Sequence, residues 1–109
     1  MLDIGWCGGL GEAKKIATMA EAYELPVAPH DCTGPVLLTA SVHLALASPN
    51  ALVQEVVRAV YVGWSRALVD ERPPLANGFI APTEAPGLGI KLKRGLLERP
   101  DATVKVSSL

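Results

Sequence analysis

Cysteine is scarce: Cys7 and Cys32 are the two thiols of this 109-residue chain. No signal-peptide pattern precedes them. Asp3 stands where a basic n-region belongs, and no long apolar h-region follows. A disulfide framework is therefore not expected, and a cytoplasmic location is. An excess of one charge sign is lacking too. Ten basic residues meet eleven acidic ones, a net charge of -1, which excludes a polybasic nucleic-acid binder or membrane-surface protein. No apolar run is long enough to span a membrane. The longest stretch free of Asp, Glu, Lys and Arg covers residues 32–54, and Pro35, Pro49, Asn50 and Gln54 interrupt it. Residues 36–48, between two of those prolines, fall short of a hydrocarbon core of about 30 Å. Charged residues make up 19% of the chain, below the usual share of about 25%. Half of the residues are apolar, which excludes disorder. On so small a body that composition implies apolar surface in want of a neighbour.

What is present repeats as strand, loop, helix. Residues 1–3 read as the end of a strand, expected to be cut short. Gly5, Gly8, Gly9 and Gly11 then mark a loop. Leu10, Ala13, Ile16, Ala17, Ala20 and Tyr23 recur at spacings of three and four, which predicts a helix over 10–24. Residues 25–29 form a short apolar run read as a strand, with His30 directly after it. Pro35 suits the first position of a second helix, over 36–47, apolar nearly all round and so expected to be buried on several sides. Residues 51–54 read as a third strand, closed by Glu55. A weaker helix is predicted over 57–68, before the break at Arg72-Pro73-Pro74. Beyond it the chain is rich in Pro and Gly, with short extended pieces at 79–80 and 89–92. Two parts follow: residues 1–72, three β/α units, and residues 73–109, a C-terminal extension.

Each presumed strand ends in an ionisable side chain. Asp3 and His30 are 27 positions apart, and His30 and Glu55 are 25 apart. That period suits right-handed β/α units with parallel strands. In a (β/α)8 barrel the carboxyl ends of the strands line the active site, so Asp3, His30 and Glu55 can converge. A whole barrel takes about 250 residues, so this chain can supply only part of one. A carboxylate accepting Nδ1–H fixes the tautomer of a histidine and raises its basicity, which leaves Nε2 to take a proton. The plainer reading is three polar groups capping helices or facing water. Cys7, His30, Asp31 and Cys32 are metal-capable types, but their spacing fits no zinc pattern, and buried thiols are expected. Gly8-Gly9 reads as a tight loop, His43 as a core histidine and Trp6, Tyr61 and Trp64 as packing residues. Arg58 and Arg66 read as solvated surface side chains.

Asp3-Ile4-Gly5-Trp6-Cys7-Gly8-Gly9, then Ala28-Pro29-His30, then Gln54-Glu55 resemble the last three barrel strands of the enolase superfamily. The branch is the mandelate racemase/muconate lactonizing enzyme subgroup, and within it the galactonate dehydratase-like acid-sugar dehydratases. Pro86-Gly87-Leu88-Gly89 resembles that family's C-terminal segment. The resemblance implies an α/β fold, the C-terminal part of a TIM-type barrel. It implies Mg²⁺ in the full-length enzyme, held by carboxylates on earlier strands that have no counterpart in this chain, and a sugar-acid substrate. By position, His30 resembles the base or acid of a dyad, Asp3 its orienting partner, and Glu55 the group that hydrogen-bonds the enolate. The implied reaction removes the proton α to a carboxylate and loses the β-hydroxyl as water. A racemase or epimerase of the same superfamily is the first alternative, and a non-catalytic α/β fragment acting by association the second. The isolated chain is expected to be inactive, with association into homo-oligomers in view and no nucleic-acid or membrane partner.

Overall fold

Pro26 and Pro29 have no N–H to give, so the segment that carries them cannot form a continuous ladder on either side. The computed structural model, which describes residues 1–107, bears this out. Residues 26–30 lie between residues 1–3 and residues 50–55, parallel to both, but the pairing is confined to isolated bridges, Leu2 with Pro29 and Val27 with Ala51. The strands predicted at 25–29 and 51–54 are thus present in direction and order, not as full strands. Five backbone hydrogen bonds join them. The amides of Leu2 and His30 bond Ala28 O and Leu2 O at 3.3 and 2.7 Å. Those of Val27, Leu52 and Glu55 bond Asn50 O, Val27 O and Pro29 O at 2.9, 2.9 and 3.3 Å.

Helix α1 spans Leu10–Ala22 and α2 spans Pro35–Leu46, with Pro35 at its first turn. The two helices touch each other. Ala13 and Ala17 of α1 and Leu44 of α2 join Leu2, Ile4 and Val27 in one buried cluster, with Leu37, Ala40 and Ala51 at its margin. Both helices therefore cover the same face of the parallel segments. Leu38 and Val42 of α2 are buried as expected, but Val36 and Leu46 face solvent.

α1 stops two residues before its predicted end. Glu24 adopts φ 57°, and the amides of Glu24 and Leu25 bond Glu21 O and Ala20 O, both at 2.9 Å. This is a Schellman ending, whose left-handed position favours glycine. Glu24→Gly should therefore stabilise the chain by about 1 kcal/mol, read as a raised thermal midpoint.

The single helix predicted over 57–68 is two short ones, α3 at Arg58–Val62 and α4 at Ser65–Leu68. Gly63 stands at the break, where a Cβ would lie 2.5 Å from the Ala59 carbonyl oxygen. In the tail, β1 (Leu75–Ala76) and β2 (Phe79–Ile80) form an antiparallel hairpin. Its turn is Asn77-Gly78, with φ 52° and 79°, the pairing of residues that a tight hairpin turn demands. The extended piece at 89–92 returns to the body. Leu92 bridges Val69 antiparallel, and Asp70 and Lys93 amides bond Lys91 O and Leu68 O at 3.0 and 2.9 Å. Among the described residues no helix is long and apolar enough to cross a membrane.

Candidate active site

Parallel neighbours end at the same edge, so the three residues that terminate the extended segments come together. Asp3 Oδ2 lies 2.7 Å from His30 Nδ1. The Gly5 amide donates to the other oxygen of Asp3, Oδ1, at 2.7 Å, which fixes the carboxylate plane. On the far side of the ring, His30 Nε2 lies 3.6 Å from Glu55 Oε2. That same oxygen accepts the Asp31 amide at 3.1 Å. The Gln54 side-chain amide donates to Pro29 O and Glu55 O at 3.3 and 2.8 Å, tying the second and third segments beneath the site. The result is an imidazole between two carboxylates, reached from solvent.

Charge and burial act on this row in opposite senses. The hydrogen bond that Nδ1–H gives to Asp3 raises the His30 pKa, against partial desolvation, with Glu55, Asp3 and Asp31 adding negative potential. Burial alone pushes the Asp3 carboxyl up, but the hydrogen bonds from His30 and Gly5 and the charge on His30 outweigh it and hold the group below 3.8. Asp31 stood out in the sequence only as a metal-capable type, not as a member of the strand-end row. It is 1% exposed, and burial pushes its carboxyl up to about 6 although the Gly34 and Val57 amides pull it down. Its Oδ1 is buried without a hydrogen-bond partner. Two adjacent polar residues between a strand and a helix start, His30-Asp31, were the available signal.

These shifts have opposite consequences for stability. The lowered Asp3 favours the fold above its ordinary pKa of 3.8 and loses that effect as pH falls through the lowered value. The raised His30 favours the fold below 6.5 and loses that effect as pH rises through the raised value. Asp31 is a carboxyl with a raised folded pKa, so the fold weakens as pH climbs from 3.8 to about 6. The thermal midpoint should therefore be higher near about pH 5 than near about pH 8. Asp31→Asn should remove the part of the fall below about pH 6, and His30→Asn the part above it. Circular-dichroism melts across that range check both.

The other residues drawn from the sequence have structural roles. The Gly9 amide bonds Ile4 O at 3.0 Å within a tight loop. His43 Nε2 lies 3.3 Å from Leu88 O, fastening the tail to α2. Tyr61 donates its hydroxyl to Pro73 O at 2.7 Å and carries the Arg72 guanidinium 4.3 Å from its ring centre. Trp6 is exposed, not packed, and Trp64 lies against Gly34. Arg58 and Arg66 are exposed. The thiols are not both buried as expected: Cys7 is half-buried, but Cys32 is exposed beside His30.

Mg²⁺ prefers about six oxygen donors in near-octahedral array. The described residues with ligand atoms close enough to share an ion are Asp3, His30 and Cys32: one oxygen, one nitrogen and one sulfur. Glu55 is bonded to the Asp31 amide, and Asp31 is enclosed. This donor set does not suit Mg²⁺.

Parallel β/α units carry an acid–imidazole–acid row at the ends of their extended segments. The chain belongs to the enolase C-terminal domain-like family, whose model matches residues 1–96. It is 38% identical over 103 residues to a D-galactonate dehydratase of Verminephrobacter eiseniae, covering 89% of this chain and 27% of that one. Among solved structures it is similar to a mandelate racemase subgroup enolase of Agrobacterium tumefaciens. The identity is 61%, the TM-score 0.82, and the coverage 86% of this chain and 26% of that one. It is similar also to an enolase protein from Sargasso Sea environmental sequencing, at 47% identity and TM-score 0.88, covering 96% and 28%. The chain spans about a quarter of the length of these relatives.

Proposed function

We propose that the chain is the C-terminal part of a (β/α)8 barrel enzyme that dehydrates a sugar acid. Residues 1–72 are then its last three β/α units and residues 73–109 an extension over them. His30 acts as the base. With Nδ1–H held by Asp3, Nε2 takes the proton α to the substrate carboxylate, and the imidazolium that forms is stabilised by Asp3. The electron pair left behind forms an enolate, and Glu55, when protonated, hydrogen-bonds its oxygen. The pair then expels the β-hydroxyl, which leaves as water on taking a proton from a general acid outside this chain. The 2.7 Å contact between Asp3 and His30 is the observation that supports this reading most. The D-galactonate dehydratase relative favours elimination over racemisation.

The test is a chimera in which this chain replaces the matching segment of that dehydratase. Water loss from D-galactonate is the expected result. Exchange of the α-proton with solvent without water loss would point to a racemase. A folded chimera with neither reaction would overturn the proposal.

The isolated chain should not turn over sugar acids, and it should associate. Leu52, Val53 and Phe79 are exposed around an apolar trough of about 510 Å³ between α2, residues 51–56 and the hairpin. Contiguous apolar surface of this kind marks an interface. Size-exclusion chromatography should give a mass above that of the 11.4 kDa monomer.

A further inference from the structure

We propose that Asp3, His30 and Cys32 form a site for a thiophilic divalent cation of the Zn²⁺ type, and that an ion there displaces the proton shared by Asp3 and His30. This goes beyond the dehydratase reading and holds whether or not that reading does.

The three residues offer a carboxylate oxygen, an imidazole nitrogen and a thiol sulfur whose atoms all lie within 4.8 Å of one another. Cys32 Sγ is 3.8 Å from His30 Nδ1. A tetrahedral Zn²⁺, with Zn–S near 2.3 Å and Zn–N near 2.0–2.1 Å, sets its sulfur and nitrogen ligands about 3.5 Å apart. The loop therefore has little to move. The opposite adjustment is needed at Asp3, whose Oδ2 stands 2.7 Å from Nδ1 and must draw back to admit the ion. Gly5 holds only Oδ1, so Oδ2 is the oxygen available as a single ligand.

Two features of the surroundings suit a cation. Asp3, Asp31 and Glu55 all place negative charge around the one imidazole. Glu55 Oε2 lies 3.6 Å from Nε2, on the side of the ring away from the thiol. That is beyond a hydrogen bond, but a carboxylate on that side favours the ring proton on Nε2 and leaves Nδ1 open to a metal. Cys32 is exposed, so the ion reaches it from solvent, and a water completes the four ligands. Binding releases the thiol proton of Cys32 and, where the ring is doubly protonated, the proton on Nδ1, so affinity rises with pH. Occupied by such an ion, Nδ1 cannot donate to Asp3, and metal binding excludes the dyad.

The test uses the reduced 109-residue chain near neutral pH. Titration calorimetry with Zn²⁺ should give one site, and Co²⁺ should produce a thiolate-to-metal charge-transfer band in the near ultraviolet. Cys32→Ser and Asp3→Asn should each weaken binding by about tenfold or more, with the band lost in Cys32→Ser. Cys7→Ser should change neither. Bound Zn²⁺ should shift the ring signals of His30 and leave those of His43 in place. A second arm needs no variant: Zn²⁺ should slow alkylation of Cys32 but not of Cys7. Absence of saturable Zn²⁺ binding by the folded chain overturns the proposal. So does a band that survives Cys32→Ser, or alkylation of Cys32 at the same rate with and without the ion.

Discussion

His30→Asn in the chimera with D-galactonate dehydratase should lower kcat by about 10²–10⁴-fold, the range that a positioned general base contributes. KM should move far less, because the interaction removed exists only while the proton is in flight. Asparagine keeps one hydrogen bond to Asp3 but has no basic nitrogen where Nε2 stands. Asp3→Asn should also lower kcat, for a different reason. The Gly5 amide bonds one oxygen of Asp3 and His30 Nδ1 bonds the other. An amide in that place removes the charge that favours imidazolium and can present an N–H to Nδ1, which sets the wrong tautomer. The two variants separate in their pH profiles: Asp3→Asn should shift the acid limb of kcat/KM downward, while His30→Asn should abolish it. The control is His43→Asn, whose ring meets a backbone carbonyl of the tail and not the site. A His30→Asn chimera that keeps wild-type turnover would remove His30 from the reaction.

Leu44→Ala should destabilise the isolated chain by about 2–5 kcal/mol. Leu44 is 2% exposed and belongs to the cluster where α1, α2, Leu2, Ile4 and Val27 meet. Its neighbours across that cluster, Ala13 and Ala17, are too small to fill the space that truncation leaves. A domain of this size has only about 5–15 kcal/mol to lose, so the urea midpoint should fall steeply. Leu46→Ala is the internal comparison. Leu46 is 64% exposed on the same helix, and its truncation should cost under about 0.5 kcal/mol. Both midpoints must be measured at one protein concentration, since association adds its own stabilisation. Equal costs for the two variants would place the core elsewhere.

Helical periodicity was legible because it repeats. The spacing of Leu10, Ala13, Ala17 and Ala20 and the proline at 35 located α1 and α2 to within two residues. Local exceptions were not legible in the same way. The end of α1 depends on Glu24 entering a left-handed conformation, which a glutamate does not announce. The break at Gly63 depends on how close that residue comes to Ala59 O, a distance and not a pattern. Asn77-Gly78 carries a hairpin signal, yet only the extended piece at 79–80 was expected, without the turn or its partner strand. At the site, three ionisable residues at strand ends fixed which side chains would meet, because parallel segments share an edge. Asp31 and Cys32 stood out as metal-capable types, but which of them is buried did not, because alternation along an extended chain says which way a side chain points only while the chain stays extended. After His30 it turns, burying one of the pair and exposing the other.

The parallel arrangement also sets an order of events as the chain folds. The hairpin at 75–80 and the two long helices close on near neighbours, which takes microseconds or less. The bridge from Leu2 to Pro29 must first gather 26 intervening residues, and that from Val27 to Ala51 another 23. Each closure bears the entropy of a loop before any side chain is rewarded with contact. Helices α1 and α2 shorten those loops in advance, since each occupies about half of one. The carboxylate–imidazole contact between Asp3 and His30 is thus among the late arrivals. It is expected to assemble after α1, the helix between its two members.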